Sequence, residues 1–395
     1  MPLKKADIAI MAFCTGLIVA NLYYCQPLVV LIARDFHIDN NIAGRLNYIT
    51  QGGYAAGLLF LVPLGDLIER KKQILVTNAV TVVALIAAAL SPSFALLQIA
   101  SFCIGFSTVV PQLILPLAAQ LAEPARRGKV IGAIMSGLLL GILLSRTVSG
   151  LVGALYGWRA IYWIAAVVCS LLLVLMAIRF PKSQPSFKGT YGQLMKSLGS
   201  LLPQPVLQEA CLINALAFGT FGAFWATMVL YLSGAPFHFN SGQIGLFGLV
   251  GAAGALAAPI AGKLGDKGNP RNIILMGVIM ILVSFIIFYL FRTTLAGIIT
   301  GIVILDFGLQ AVHISNQTRV YALIPEARNR LNTIYMSVSF TGTASGSAMG
   351  LYLWHLGGWS AFCIGGAALM AAALIIYAAY NKKLTAIHNL TKIDK

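Results

Sequence analysis

Hydrophobic positions along this chain fall into about twelve runs, each close to the roughly 20 residues that an α-helix needs to cross a bilayer. The runs cover 7–33, 44–66, 73–91, 94–121, 130–153, 160–180, 206–233, 243–265, 272–292, 295–322, 332–355 and 359–380. Stretches such as Val80–Leu90 show no alternation, so they read as helical spans and not as the strands of a membrane barrel. The polar positions inside these runs are few. The sharpest is Asp306, in the middle of Leu305-Asp306-Phe307-Gly308-Leu309-Gln310-Ala311-Val312-His313. Asp306, Gln310, His313 and Gln317 stand at i, i+4, i+7 and i+11, along one helix face. A carboxylate at mid-bilayer costs roughly 2.5–3.5 kcal/mol on insertion scales, so such a group is neutralised, paired or hydrated, and it marks a functional site by default. An acid and a histidine two turns apart on a polar stripe have the form of a proton path.

Composition agrees with the pattern. Hydrophobic residues make up 59% of the chain and charged residues 10%, against about 25% charged in soluble domains. The net charge of +16 raises the question of nucleic acid, and position answers it. With the N-terminus in the cytoplasm, roughly 21 of the 27 Lys/Arg fall on the cytoplasmic side, which is the positive-inside pattern. About four fall outside (Arg34, Arg45, Arg159, Arg292). Membrane lipids, not nucleic acid, are the implied counter-charge, and an even number of spans returns the C-terminus to the cytoplasm. The first run is longer than a signal-peptide core, and Asn21–Pro27 offers no cleavage pattern. All six cysteines lie in apolar runs with no CxxC spacing, as buried small hydrophobes do.

The longest polar interruption, Pro181–Pro205, separates six spans from six. Across it the sequence repeats at an offset of about 200 residues. Gly65-Asp66 matches Gly265-Asp266. Pro124-Ala125-Arg126-Arg127 matches Pro325-Glu326-Ala327-Arg328, and Gly157-Trp158 matches Gly358-Trp359. Two halves of the same topology form the parallel-repeat plan of a secondary transporter. The expected domains are residues 1–180, a cytoplasmic linker 181–205, and residues 206–395 with a cytoplasmic tail.

On these residues the chain resembles the major facilitator superfamily, nearest to its twelve-span drug or metabolite:proton antiporter branch. The loop Gly65-Asp66-Leu67-Ile68-Glu69-Arg70-Lys71-Lys72 is similar to that family's D-R-x-G-R-R/K loop at Asp66, Arg70 and Lys71, and Gly262–Lys267 echoes it. The resemblance implies an all-α membrane protein of two six-helix bundles and a charged gate comprising Asp66, Arg70, Lys71, Asp266, Arg126 and Arg328. Ordinary topology-setting turns are the alternative reading of those charges. Two positions depart from the family. Ser101 stands where span four often has arginine, and Arg146 stands where the antiporter span five often has proline. Arg146 lies about 24 Å along its helix at 1.5 Å per residue. It is suited either to snorkelling or structural pairing, or to an anionic substrate group.

The resemblance also implies that spans one, four, seven and ten line the transport path, and those spans carry much of the intramembrane polarity. Candidate substrate contacts are Asn21, Tyr24, Gln98, Gln112, Arg146, Asn214, Phe221, Trp225 and Gln310, with Asp306 and His313 as candidates for proton coupling. Interhelical hydrogen bonding and helix packing are the alternatives for the amides, the aromatic stripe and His313. Glu209 and Arg319 read as hydrated or anchoring groups near helix ends. No H-E-x-x-H, G-x-S-x-G or Walker loop suggests an enzyme. The expectation is a monomeric transporter of a bacterial inner membrane, without cofactor, that exports a small organic molecule in exchange for protons. Proton-coupled uptake of a small metabolite, anionic or neutral, is the alternative.

Overall fold

The computed structural model describes residues 5–123, 126–183, 185, 187, 189–255, 269–324 and 327–393; the side chains of Arg127, 252–255 and 381–393 fall outside that description. Every regular element among these residues is helical. In chain order they are α1 (Lys5–Val19), α2 (Val29–Phe36), α3 (Asn40–Phe60), α4 (Leu64–Leu67), α5 (Arg70–Ala89), α6 (Phe94–Ser107), α7 (Val110–Leu121), α8 (Arg127–Tyr156), α9 (Trp158–Arg179), α10 (Tyr191–Gly199), α11 (Pro205–Ser233), α12 (Ser241–Ala255), α13 (Pro270–Leu290), α14 (Leu295–Leu323) and α15 (Arg328–Ile393). Short polar side chains start several of them. Asp39, Ser93, Asn269 and Thr294 each accept a backbone N–H of the first turn, satisfying a donor that the helix leaves open.

Nine helical stretches among the described residues are long and apolar enough to cross a membrane. Arg328–Tyr380 carries two of the predicted runs, because the backbone leaves helical geometry at Gly357 and Gly358. α3 has spanning length but more polar residues, and Ser241–Gly251 is a shorter apolar helix. Together these account for eleven of the predicted runs and for the start of run 243–265, whose residues 256–265 lie outside the described residues.

Three details differ from the sequence expectation. Run 7–33 is broken: 3₁₀ turns at Ala20–Leu22 and Gln26–Leu28 separate α1 from α2. Pro27 brings no backbone donor to a regular helix there. Run 94–121 is likewise broken between Ser107 and Val110, just before Pro111. Both breaks fall among polar residues buried in protein, where irregular backbone is tolerated in a membrane. The linker 181–205 contains a helix, α10. Its Leu198, with Leu201 just beyond it, joins the apolar cluster of Leu207, Ala210, Val320 and Leu331.

The chain forms two compact units, residues 1–194 with 228–249, and residues 195–227 with 250–395. The segment 228–249, which the sequence repeat places in the second half, clusters with the first unit. Within unit 1, an apolar core of Met11, Cys14, Ile18, Ile114, Leu117, Ile134 and Met176 joins α1, α7, α8 and α9. α1 and α8 cross at bare backbone: a methyl on Gly137 would overlap the carbonyl of Ala12, and one on Gly141 the carbonyl of Gly16. Unit 2 repeats this contact between α11 and α15, with Gly342 against Ala215 and Gly346 against Gly219. Small residues that allow helices to touch are the usual basis of helix association in lipid.

The repeated Gly-Trp pairs also acquire a structural meaning. Gly157 and Gly358 adopt positive φ, 81° and 60°, a region that costs glycine little. The tryptophans that follow are buried and donate their indole N–H, Trp158 to Asp35 (3.2 Å) and Trp359 to the carbonyl of Phe288 (2.9 Å).

Candidate functional site

In unit 1 the polar residues gather where the helices break. Asn21 is buried and donates to Cys169 Sγ (3.4 Å), while Asn78 donates to the carbonyl of Cys169 (2.9 Å). Tyr24 is buried beside them in sequence, and Cys25 Sγ donates to Asn47 Oδ1 (3.3 Å). Gln112, at the start of α7, donates to the hydroxyl of Tyr54 (3.4 Å). Gln98, near the start of α6, is half-buried.

Arg146 points inward. It is buried, its Nε donates to Gln26 Oε1 (2.6 Å), and its guanidinium lies 4.7 Å from the ring centre of Tyr23. Both partners belong to the broken segment between α1 and α2, so the arginine ties that segment to α8. Just beyond it, α8 meets the first half of α12. Thr147 donates to the carbonyl of Gly245 (2.9 Å) and Ser241 to the carbonyl of Gly150 (3.3 Å). A side chain at Gly150 or Gly245 would collide with the opposite backbone.

The Asp66 loop is a built charge pair. Arg70 is buried and donates to Asp66 Oδ1 (2.7 Å) and to Gln120 Oε1 (3.0 Å), joining α4, α5 and α7. Its backbone N–H donates to Ser183, and the carbonyl of Asp66 accepts from Phe187, so the stretch after α9 folds over the loop. Lys71 is half-buried. Arg126 forms an exposed pair with Glu123 (3.7 Å), and Arg328 donates to the carbonyl of Tyr321 (3.1 Å). Asp266 and the rest of Gly262–Lys267 lie outside the described residues.

In unit 2, Asp306 is buried on α14. A Cβ on Gly251 would stand 2.7 Å from Asp306 Oδ2 and 3.2 Å from Trp225 Cζ2. The carboxylate and the indole edge therefore both rest on glycine backbone. Trp225 packs edge-on against Phe221 and Phe224, with centroids 6.1 and 5.5 Å apart. Gln310 is half-buried one turn beyond Asp306.

His313, a further turn along, is gripped by two neighbouring helices. Asn214 Nδ2 on α11 lies 3.4 Å from His313 Nδ1, and the hydroxyl of Tyr335 on α15 lies 3.2 Å from it. Tyr335 also stands 2.9 Å from the carbonyl of His313, and its ring is stacked on the imidazole. Asn214 donates to Ser339 Oγ (2.6 Å), and Ser339 donates to the carbonyl of Tyr335 (2.6 Å). The sequence pattern marks Asn214 and His313 separately, on two different spans. Tyr335 and Ser339 escaped it, because they sit among many serines and threonines on a span with no charged residue to single them out.

Glu209 corrects its sequence reading. It is fully buried, not hydrated, and its two oxygens accept from Arg271 (2.7 Å) and Arg319 (2.5 Å). Arg271 also lies 4.8 Å from the ring centre of Tyr377, and Arg319 donates to Asn316 (3.3 Å). One carboxylate thus joins α11, α13 and α14, and Arg271 carries the link on to Tyr377 of α15.

The sequence profile of the Major Facilitator Superfamily matches residues 8–327 and 210–393. The chain is 41% identical over 376 residues, 95% of both chains, to the uncharacterized transporter YgaY of Escherichia coli O157:H7. It is 23% identical to a "Probable sugar efflux transporter" of Helicobacter pylori, over 89% of this chain and 90% of that one. The fold is that of the human organic anion transporter MFSD10 (TETRAN). The TM-score is 0.72 at 16% identity, covering 95% of this chain and 100% of that one.

Proposed function

The chain belongs to the Major Facilitator Superfamily, and on that premise we propose that this integral membrane transporter is a proton-coupled exporter of a small organic compound. Its relatives are transporters, not enzymes. The observation that carries the reading is Asp306, a carboxylate buried mid-helix in α14 with its oxygen seated against Gly251 beside Trp225. A group so placed can hold a proton in one step of a cycle and release it in another, and intramembrane acids are the usual means of doing so. Neutral Asp306 permits one orientation of alternating access. Ionised, it attracts substrate or reorders its polar neighbours. Phe221, half-buried, supplies an apolar surface backed by the fully buried Trp225, and Gln310 a hydrogen-bonding group. That mixture suits a small molecule with both characters.

Asp66, Arg70 and Lys71 act as a gate in this reading, with Asp266, Arg126 and Arg328 as the remaining charges of the repeated loops. The pairing of Arg70 with Asp66 and Gln120 supports it. The export direction is supported by the name of the H. pylori relative. The protein works as a monomer in a bacterial inner membrane, with both termini cytoplasmic.

The test is proton movement in inverted vesicles, wild type against Asp306→Asn, across antibiotics, dyes and small metabolites. A compound that releases protons with wild type and not with the variant establishes exchange and the substrate class. Unchanged proton coupling in the variant removes Asp306 from the mechanism.

A further inference from the structure

We propose that Asn214, Ser339 and Tyr335 are positioning residues that fix His313 as a neutral, Nε2-protonated imidazole, which offers that N–H to an acceptor atom of the substrate. The inference deepens the transport reading above and assigns His313 a recognition role in place of a share in proton carriage.

A chain of hydrogen bonds leads from Ser339 to the imidazole. Ser339 Oγ stands 2.6 Å from the carbonyl of Tyr335. A carbonyl only accepts, so the single hydroxyl proton of Ser339 is committed there. Toward Asn214, 2.6 Å away, Ser339 can only accept, which makes the Asn214 atom facing it the amide nitrogen. The same nitrogen lies 3.4 Å from His313 Nδ1. An amide nitrogen has two protons and no lone pair to give, so Nδ1 must be the acceptor. A protonated Nδ1 would set two donors against each other at a residue, Asn214, that is fully buried. Tyr335 gives its single hydroxyl proton to the carbonyl of His313 at 2.9 Å, which holds the ring in place; its oxygen stands 3.2 Å from Nδ1, and the donor to Nδ1 is Asn214.

With Nδ1 occupied, the ring proton resides on Nε2. Tyr335 covers one face of the imidazole, with centroids 5.5 Å apart and planes 13° apart, and Phe218 leans on the ring at 5.1 Å. The residue as a whole is half-buried, so the Nε2 edge is its polar route outward. Gln310, three residues earlier on the same helix face, is also half-buried. The ligand chemistry that fits Nε2–H is an acceptor: a carbonyl, hydroxyl, ether or carboxylate oxygen, with an apolar part to lie on Phe218.

The tautomer can be read without a substrate. Histidine-selective ¹⁵N labelling of the full chain in nanodiscs at pH 7.5 gives signals from five histidines, and loss of one in His313→Gln assigns it. The expected signature is an unprotonated Nδ1 and a protonated Nε2, switching to protonated Nδ1 in Asn214→Asp, where a carboxylate replaces the donor. A protonated Nδ1 or an imidazolium in wild type overturns the proposal. Its transport arm uses glucose, benzoate and ethidium as probes in inverted vesicles. For whichever is carried, His313→Gln, whose amide reproduces the Nε2 donor, keeps most of the rate. His313→Asn, which cannot reach, raises KM about tenfold, a loss on the scale of one hydrogen bond. Equal loss in both variants overturns the donor role. Because the NMR signature needs no transport, it is decided separately from proton export, which the Asp306→Asn comparison tests.

Discussion

At Glu209 one carboxylate answers two arginines without any solvent exposure. Removing one partner from a buried ion pair leaves an uncompensated charge and costs about 3–5 kcal/mol. Glu209→Gln is therefore expected to lower the thermal midpoint in detergent strongly, whereas Arg126→Ala, at an exposed pair, changes stability by less than about 0.5 kcal/mol and leaves the midpoint nearly where it was. Comparable midpoints for the two variants would contradict the burial argument. Arg146 makes a second case. Its bonds to Gln26 and Tyr23 are contacts that hold the chain, so Arg146→Ala is expected to impair export of neutral and anionic compounds alike. Selective loss of anionic compounds would instead favour direct contact with substrate. Asp306 was legible in the sequence because a lone acid in an apolar run has no ordinary explanation. Glu209 was not, because its partners stand 62 and 110 residues away, and a carboxylate near a helix end looks hydrated until they are known.

Among the elements, the crossings α1–α8 and α11–α15 depend on the absence of side chains at Gly141 and Gly346. An added methyl overlaps opposing backbone, which cannot move aside as a flexible side chain can. Gly141→Ala or Gly346→Ala should cost roughly 1–3 kcal/mol by overpacking. Gly132→Ala, where nothing lies within 4 Å, should be neutral or slightly stabilising, since alanine is the better helix former. Detergent unfolding of the three variants checks this, and equal effects would refute the close-contact account. The apolar runs revealed the helices because length and hydropathy alone identify a span. The breaks at Ala20–Leu28 and at Thr108–Val109 were hidden: proline marks a possible interruption, but whether surrounding protein satisfies the freed backbone is a tertiary matter. The helix α10 was hidden for the opposite reason. Lysine, serine and glycine dominate its neighbourhood, and only the buried leucines show why it forms.

For the molecule as a whole, the sequence repeat and the compact units do not coincide, because 228–249 belongs to the second half by sequence and to the first unit by contact. The distribution of Lys and Arg predicts both termini in the cytoplasm. Fluorescent-protein fusions at either end should therefore glow, while alkaline phosphatase fusions there stay inactive. Active phosphatase at either end would reverse or break the topology. The repeat was legible because its glycine, tryptophan and charge signatures recur at a constant offset. Membership of 228–249 was not, since no local pattern announces which helix a glycine will meet.

The seam between α8 and α12 has a consequence for the order in which the chain is made. At about 5–20 residues per second, Gly245 leaves the ribosome roughly 5–20 seconds after Gly150. During that interval the end of α8 has its glycine and threonine surface and not the backbone that covers it. The first unit, although its α1–α8 crossing can already have closed, has to wait for a segment encoded beyond the linker. A nascent chain stopped at the linker would present that strip to lipid or to the insertion machinery, so synthesis of the second half is part of how the first is finished.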